Sequence, residues 1–172
     1  MLQIISGFIT PNEGSVQLTI DNKIAEEESK KDHVSLASPY LQLIEDFTPI
    51  ELVKHVSLFK PFQGKLSPSG LLQLAELDHA RNKYIKHFSS GMKQRLRLAL
   101  AVLADTPVLL LDEPLSNLDR NAVTWYRKMI DEHAQHKTVI VCSNAIEEEF
   151  YFCDKRLDLQ EFKPVEKARP AV

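Results

Sequence analysis

Two short stretches of this 172-residue sequence carry side chains that could do chemistry together. The first is Asp112-Glu113, adjacent carboxylates at the end of the apolar run Val108-Leu109-Leu110-Leu111. A continuous apolar run fits a strand buried on both faces of a parallel sheet, and open sheets of that kind bind ligands at the carboxyl ends of their strands. One acid there could hold Mg²⁺, while the other could orient or deprotonate a water attacking a phosphate in line. The plainer alternative is that the pair closes the strand and starts a loop at Pro114. The second stretch is Ser89-Ser90-Gly91, which precedes apolar positions at Met92, Leu96, Ala99, Leu100 and Leu103. Small residues at a helix start leave unpaired N–H groups and a partial positive charge open to a phosphate. They fit an ordinary serine N-cap as well.

Periodicity and turn chemistry predict the elements that must position these stretches. Met1 to Ser6 reads as the end of an amphipathic helix closed at Gly7, and Thr10 to Gly14 reads as a turn. Val16 to Ile20 alternates as a half-buried antiparallel strand, with Asp21-Asn22-Lys23 closing a hairpin-like unit. The charged segment 25–32 reads as a solvated loop or short helix, and Val34 to Ala37 as a strand stopped by Ser38-Pro39. Thr48-Pro49-Ile50-Glu51 combines an N-cap, a first-turn proline and a glutamate three residues on, and Leu52, Val53, Val56 and Phe59 form one apolar face after it. Pro61, Gly64 and Pro68 punctuate the chain, Leu71 to Leu77 suggests a short helix, and 78–87 is polar and helical in part. From Ser89 the pattern becomes helix to about Ala104, strand 108–111, helix 120–135, strand Thr138 to Cys142 and a short helix 145–152. Helices alternating with Val/Leu/Ile runs imply an α/β fold around a parallel sheet.

Composition narrows the function. The hydrophobic share of 44%, charged share of 26% and net charge of −3 describe an ordinary globular chain with no basic stripe, so nucleic acid is not expected as a partner. No apolar run approaches the roughly 20 residues of a membrane helix, so any membrane role runs through another chain. Cys142 and Cys153 have no metal or redox spacing and read as reduced thiols of a cytosolic protein. His133 and His136 read as surface or helix-end residues, Trp125, Tyr126 and Met129 as core, and Glu147-Glu148-Glu149 as a solvated helix start.

Ser89-Ser90-Gly91, Asp112-Glu113 and Leu115-Ser116-Asn117-Leu118-Asp119, in this order, resemble the nucleotide-binding subunit of ABC transporters over nearly the whole chain. The resemblance implies a P-loop NTPase-like ABC ATPase fold with a parallel core sheet, a small antiparallel β part and a helical subdomain. It divides the chain into 1–38 (partial β and core part), 39–88 (helical subdomain with the Q-loop region), 89–160 (signature, Walker B, D-loop and switch region) and a tail, 161–172. Phe88 to Met92 stands at the Leu-Ser-Gly-Gly-Gln signature, so Ser89, Ser90, Gly91 and Met92 are expected to meet nucleotide, with Asn117, Leu118 and Asp119 of the D-loop. Asp112 is expected to hold Mg²⁺, Glu113 to be the catalytic base and Asn144 to occupy the switch-histidine position. Gln42 is a candidate for the Mg²⁺-sensing glutamine. ATP and Mg²⁺, a second nucleotide-binding subunit and an integral-membrane permease follow as expected cofactors and partners, with a place on the cytoplasmic face of the membrane.

The departures are as informative. The family's Gly-x-x-x-x-Gly-Lys-Ser/Thr loop does not occur in these residues, and its expected place lies just before Met1. Ser90 replaces a family glycine and Met92 the glutamine, and Asn144 offers an amide that cannot take up a proton near neutral pH. An ATPase that is not competent alone is therefore expected. The alternatives are a degenerate subunit that lends its signature to a complete partner, and a soluble ABC-type ATPase.

Overall fold

A computed structural model describes residues 1–144 and 146–162. Three parallel strands, β3 (Val34–Ala37), β4 (Val108–Asp112) and β5 (Thr138–Cys142), form the central sheet in the order β3-β4-β5. The register sets Ala37 beside Leu111 and Asp112 beside Cys142, so the three strands end in one row. β4 is the middle strand, and its first four residues are buried, as an apolar run with helices on both faces requires. Leu109 and Leu111 point into the larger core with α4 (Ser90–Val102) and α5 (Arg120–His133). Val108 and Leu110 point to the other face and pack with Leu2 of α1 (Leu2–Ile5) and Val34. The α/β expectation and the strands at 34–37, 108–111 and 138–142 are borne out.

Other expectations need correction. Only the end of the predicted 16–20 strand pairs: β1 (Thr19–Ile20) meets β2 (Lys23–Ile24) antiparallel. The carbonyl of Val16 accepts from the Lys30 ammonium instead of from a strand. Asp21 and Asn22, at φ 49° and 62°, make the two-residue turn whose twist matches paired strands. The helix predicted over 71–77 is α3 (Pro68–Leu74), because Ser67 caps it by accepting from the Gly70 N–H at 3.1 Å and Pro68 sits in the first turn. Glu76, at φ 57°, turns the chain out of it. Among the described residues of the predicted 145–152 helix, Glu147–Phe150 form α6; residue 145 lies outside the described residues.

Between Ser38 and Phe88 the named helices are α2 (Pro49–Ser57) and α3, joined by short 3₁₀ turns. The capping box read from the sequence is present: Thr48 accepts from the Glu51 N–H while Glu51 accepts from the Thr48 N–H at 2.8 Å. These bonds to Thr48 hold the Glu51 carboxyl below its usual range. Its folded pKa lies below its unfolded one, so its stabilisation is present at neutral pH and is lost as pH falls through the folded value. The melting temperature of Glu51→Gln should therefore trail that of the wild type at pH 7 and converge with it in acid. Thr48→Ala should lower stability by about 1 kcal/mol and melting by roughly 2–4 °C.

Helix α4 ties this helical segment to the sheet. Arg97 donates to the Leu41 carbonyl at 2.7 Å, and Lys93 pairs with Glu45. Arg95 pairs with Glu76 and lies 4.8 Å from the Trp125 ring, whose Nε1 donates to the Leu74 carbonyl at 2.7 Å. Trp125, Tyr126 and Met129 are core residues, as expected.

Candidate functional site

The common end of β3, β4 and β5 brings Ser38, Asp112, Glu113 and Asn144 together. Asp112 closes β4, and its Oδ2 accepts from the Ser38 hydroxyl at 2.9 Å. No hydrogen bond among the described residues engages its other oxygen. The next residue, Glu113, leaves the strand in the left-handed region at φ 44°, while its N–H still donates to the Cys142 carbonyl at 2.8 Å. A glutamate there is strained and persists only where its neighbours fix it. The Asn144 amide, from the turn after β5, donates to Glu113 Oε1. The pair is half exposed and open to a ligand, Glu113 being intermediate and Asn144 exposed.

The donor set suits one hard cation shared with a phosphate more than a closed metal centre. Among the described residues no three His, Cys, Asp or Glu side chains converge on a metal position. One carboxylate steadied by a hydroxyl is the usual protein share of a Mg²⁺ site completed by substrate phosphates. Burial, and then the Asp112 carboxylate, push the Cys142 thiol above its usual range, which favours the neutral thiol.

A second group lies at the start of α4. Ser89 is the N-cap, its hydroxyl accepting from the Met92 N–H at 3.2 Å, so the capping reading holds for that side chain. Ser90 and Gly91 supply the first two helical N–H groups, which lie outside the intrahelical ladder. Ser89 and Ser90 are exposed, and Met92 packs partly on the core. A Cβ on Gly91 would come within 3.1 Å of the Asn117 carbonyl, so the loop 115–119 leans on this helix start where a side chain would push it away. Asn117 has φ 64°, Leu118 packs on the core, and Asp119 caps α5 by accepting from the Ala122 N–H at 2.9 Å. Among the described residues no hydrogen bond joins Ser89 to Met92 with Asp112, Glu113 or Asn144. Gln42 is exposed in the loop after β3.

Three functional candidates escaped the sequence reading. Ser38 was detectable only through the strand register, which sets it beside Asp112. Gln94 is fully buried, four residues before Leu98 on the inward side of α4, and donates from Nε2 to the Pro114 carbonyl at 3.1 Å. Glu149, read as solvated, is 1% exposed: its Oε1 accepts from the Leu115 N–H at 3.0 Å and its carbonyl from the Tyr126 hydroxyl at 2.8 Å. The solvated reading of that residue is overturned by its packing under the loop.

Comparison with known proteins agrees with this geometry. The chain is 27% identical over 160 residues to the uncharacterized ABC transporter ATP-binding protein YybJ of Bacillus subtilis, covering 92% of this chain and 73% of that one. It is 27% identical to Nod factor export ATP-binding protein I of Burkholderia orbicola over 98% of this chain and 57% of that one. It is 30% identical to the cytochrome c biogenesis ATP-binding export protein CcmA of Xylella fastidiosa over 77% of this chain and 59% of that one. The chain thus spans little more than half the length of the last two. In fold it matches an ATP-binding subunit of an ABC transporter at TM-score 0.74 and 22% identity, over 89% of this chain and 65% of that one. It matches an ATP-binding cassette solved as a dimer with ADP and Pi at TM-score 0.70 and 23% identity, over 87% and 71%. The ABC transporter family model matches residues 1–116, which include the Ser89 helix start, β4 and the carboxylate pair; the chain belongs to that family, as an ATP-binding domain.

Proposed function

We propose that this chain is the ATP-binding subunit of an ABC transporter, and that it couples ATP binding and hydrolysis to transport through a separate membrane permease. The observation that carries the reading is the pairing of Glu113 with Asn144 beside the Ser38-held Asp112 at one sheet edge. In this reading Asp112 holds Mg²⁺ and Glu113 orients and deprotonates the attacking water. Asn144 turns its amide from Glu113 toward the γ-phosphate. Mg²⁺, when bound, would draw charge off the phosphate oxygens. Ser89 to Met92 and Asn117 to Asp119 face ATP held by a second nucleotide-binding subunit, and the helical segment 39–88 meets the permease. No helix among the described residues is long and apolar enough to cross a membrane, in keeping with a peripheral place on its cytoplasmic face through that permease.

These 172 residues contain no Gly-x-x-x-x-Gly-Lys-Ser/Thr loop. Turnover therefore requires such a loop from a second subunit or from residues outside this sequence. The test is ATP turnover by the 172-residue chain alone and together with a loop-bearing partner subunit. No turnover alone, and Glu113-dependent turnover with the loop supplied, is the expected result. Glu113-dependent turnover by the isolated chain would sink the view that it is incompetent unaided. A second reading, a non-catalytic subunit that only lends its Ser89 helix to a partner, is favoured by Ser90, Met92 and Asn144 standing where the family has glycine, glutamine and histidine. Partner-dependent turnover that survives Glu113→Gln in this chain would select it.

A further inference from the structure

We infer that Gln94 and Glu149 are positioning residues that grip the Pro114–Leu115 peptide from both sides and so fix the backbone of Glu113. The inference rests on the hydrolytic reading above. Gln94 Nε2 donates to the carbonyl of this peptide at 3.1 Å, and its N–H donates to Glu149 Oε1 at 3.0 Å. A peptide unit is planar, so holding its two polar ends prevents it from rotating about its neighbours. Pro114 has its own φ locked by its ring, so besides the Pro114 ψ the next joint before the clamp is Glu113. That joint is the residue held at φ 44°.

Both gripping side chains are buried at a cost. Gln94 is 0% and Glu149 1% exposed. Among the described residues, Gln94 Oε1 and Glu149 Oε2 have no hydrogen-bond partner. Apolar residues would fill these positions without that desolvation, so the two polar groups are accounted for by the peptide they hold. Their places in the chain give the clamp a use. Gln94 lies one turn into the helix that begins at Ser90, and Glu149 follows the turn bearing Asn144. A shift of the α4 start, or of the turn after β5, is thereby carried to the one peptide that sets Glu113. The helix start offered to a second subunit's nucleotide is mechanically joined to this subunit's own carboxylate.

The experiment uses the full-length protein with its loop-bearing partner and ATP as the probe, and compares Glu149→Ala, Glu149→Gln and Gln94→Met. Hydrogen exchange at the Leu115 amide should speed up about tenfold or more in Glu149→Ala, the loss of roughly one buried hydrogen bond. In Glu149→Ala and Gln94→Met kcat should fall about tenfold while KM for ATP stays unchanged. Glu149→Gln keeps an acceptor for the Leu115 N–H and should restore both readouts, which a purely structural carboxylate would not predict. Unchanged Leu115 exchange in Glu149→Ala, a Gln variant as damaged as the Ala variant, or unaltered kcat in Gln94→Met would overturn the proposal. If Glu149→Ala does not fold, Gln94→Met and Glu149→Gln decide. If the wild-type assembly fails to hydrolyse ATP, the hydrolytic reading falls, and Leu115 exchange still tells whether the clamp exists.

Discussion

Glu113→Gln is expected to cut ATP turnover by the assembled protein by about a hundred- to ten-thousand-fold, the usual contribution of a positioned general base. Glutamine keeps the length of the side chain and still accepts from Asn144, so nucleotide binding should be retained while the chemical step stops. Direct ATP binding and single-turnover hydrolysis on the same preparation separate the two. Loss of binding together with turnover would show that Glu113 is structural instead. Asn144 refines the expectation, because its amide donates to Glu113 Oε1 without taking up a proton near neutrality. Asn144→His should introduce a new pH dependence of turnover near the ordinary histidine range, about 6.5. A pH profile unchanged by that substitution would remove Asn144 from the site.

Tyr126→Ala should be the most destabilising single change, at about 3–5 kcal/mol. Tyr126 is fully buried in the larger core, and its hydroxyl donates to the Glu149 carbonyl at 2.8 Å. Burial, with the Glu149 carboxylate second, pushes the phenol well above its usual range, so it remains a donor. Truncation leaves a cavity and an unpaired buried carbonyl together. A fall in melting temperature on the order of 10 °C is expected for a chain of this size. Tyr126→Phe removes only the hydroxyl and should cost about 1 kcal/mol. Equal losses from the two variants would mean that the ring's packing contributes little.

Where local chemistry decided the structure, the sequence was readable. Thr48 and Glu51 complete their capping box within four residues, and Val108 to Leu111 had to be a doubly buried strand whatever surrounded it. Asp112, Glu113 and the Ser89 helix start were legible because a strand end and a helix start are local events. Three things were not, for a common reason. Glu149 stands last in a run of three acids and reads as solvated, yet the short α6 tucks it beneath Leu115. Gln94 sits between Lys93 and Arg95 in a polar run, and only its spacing from Leu98 hints that it faces inward. Ser38 met Asp112 through strand register, which a single strand does not reveal. The strand expected over 16–20 formed only at Thr19–Ile20, for the same reason: its alternation was suitable, but the Val16 carbonyl accepts from the Lys30 ammonium.

The chain has a single tryptophan, and it stands at the junction where α3, α4 and α5 meet. Its indole N–H is bound to the Leu74 carbonyl, and the Arg95 guanidinium lies over its ring. A cation at an indole face and a hydrogen bond at its nitrogen both set the local field that the excited ring feels. These 172 residues thus carry a built-in, unlabelled optical gauge of whether the helical segment is seated on the sheet. Its emission on adding ATP and partner subunit would show whether the segment shifts, before any transport is measured.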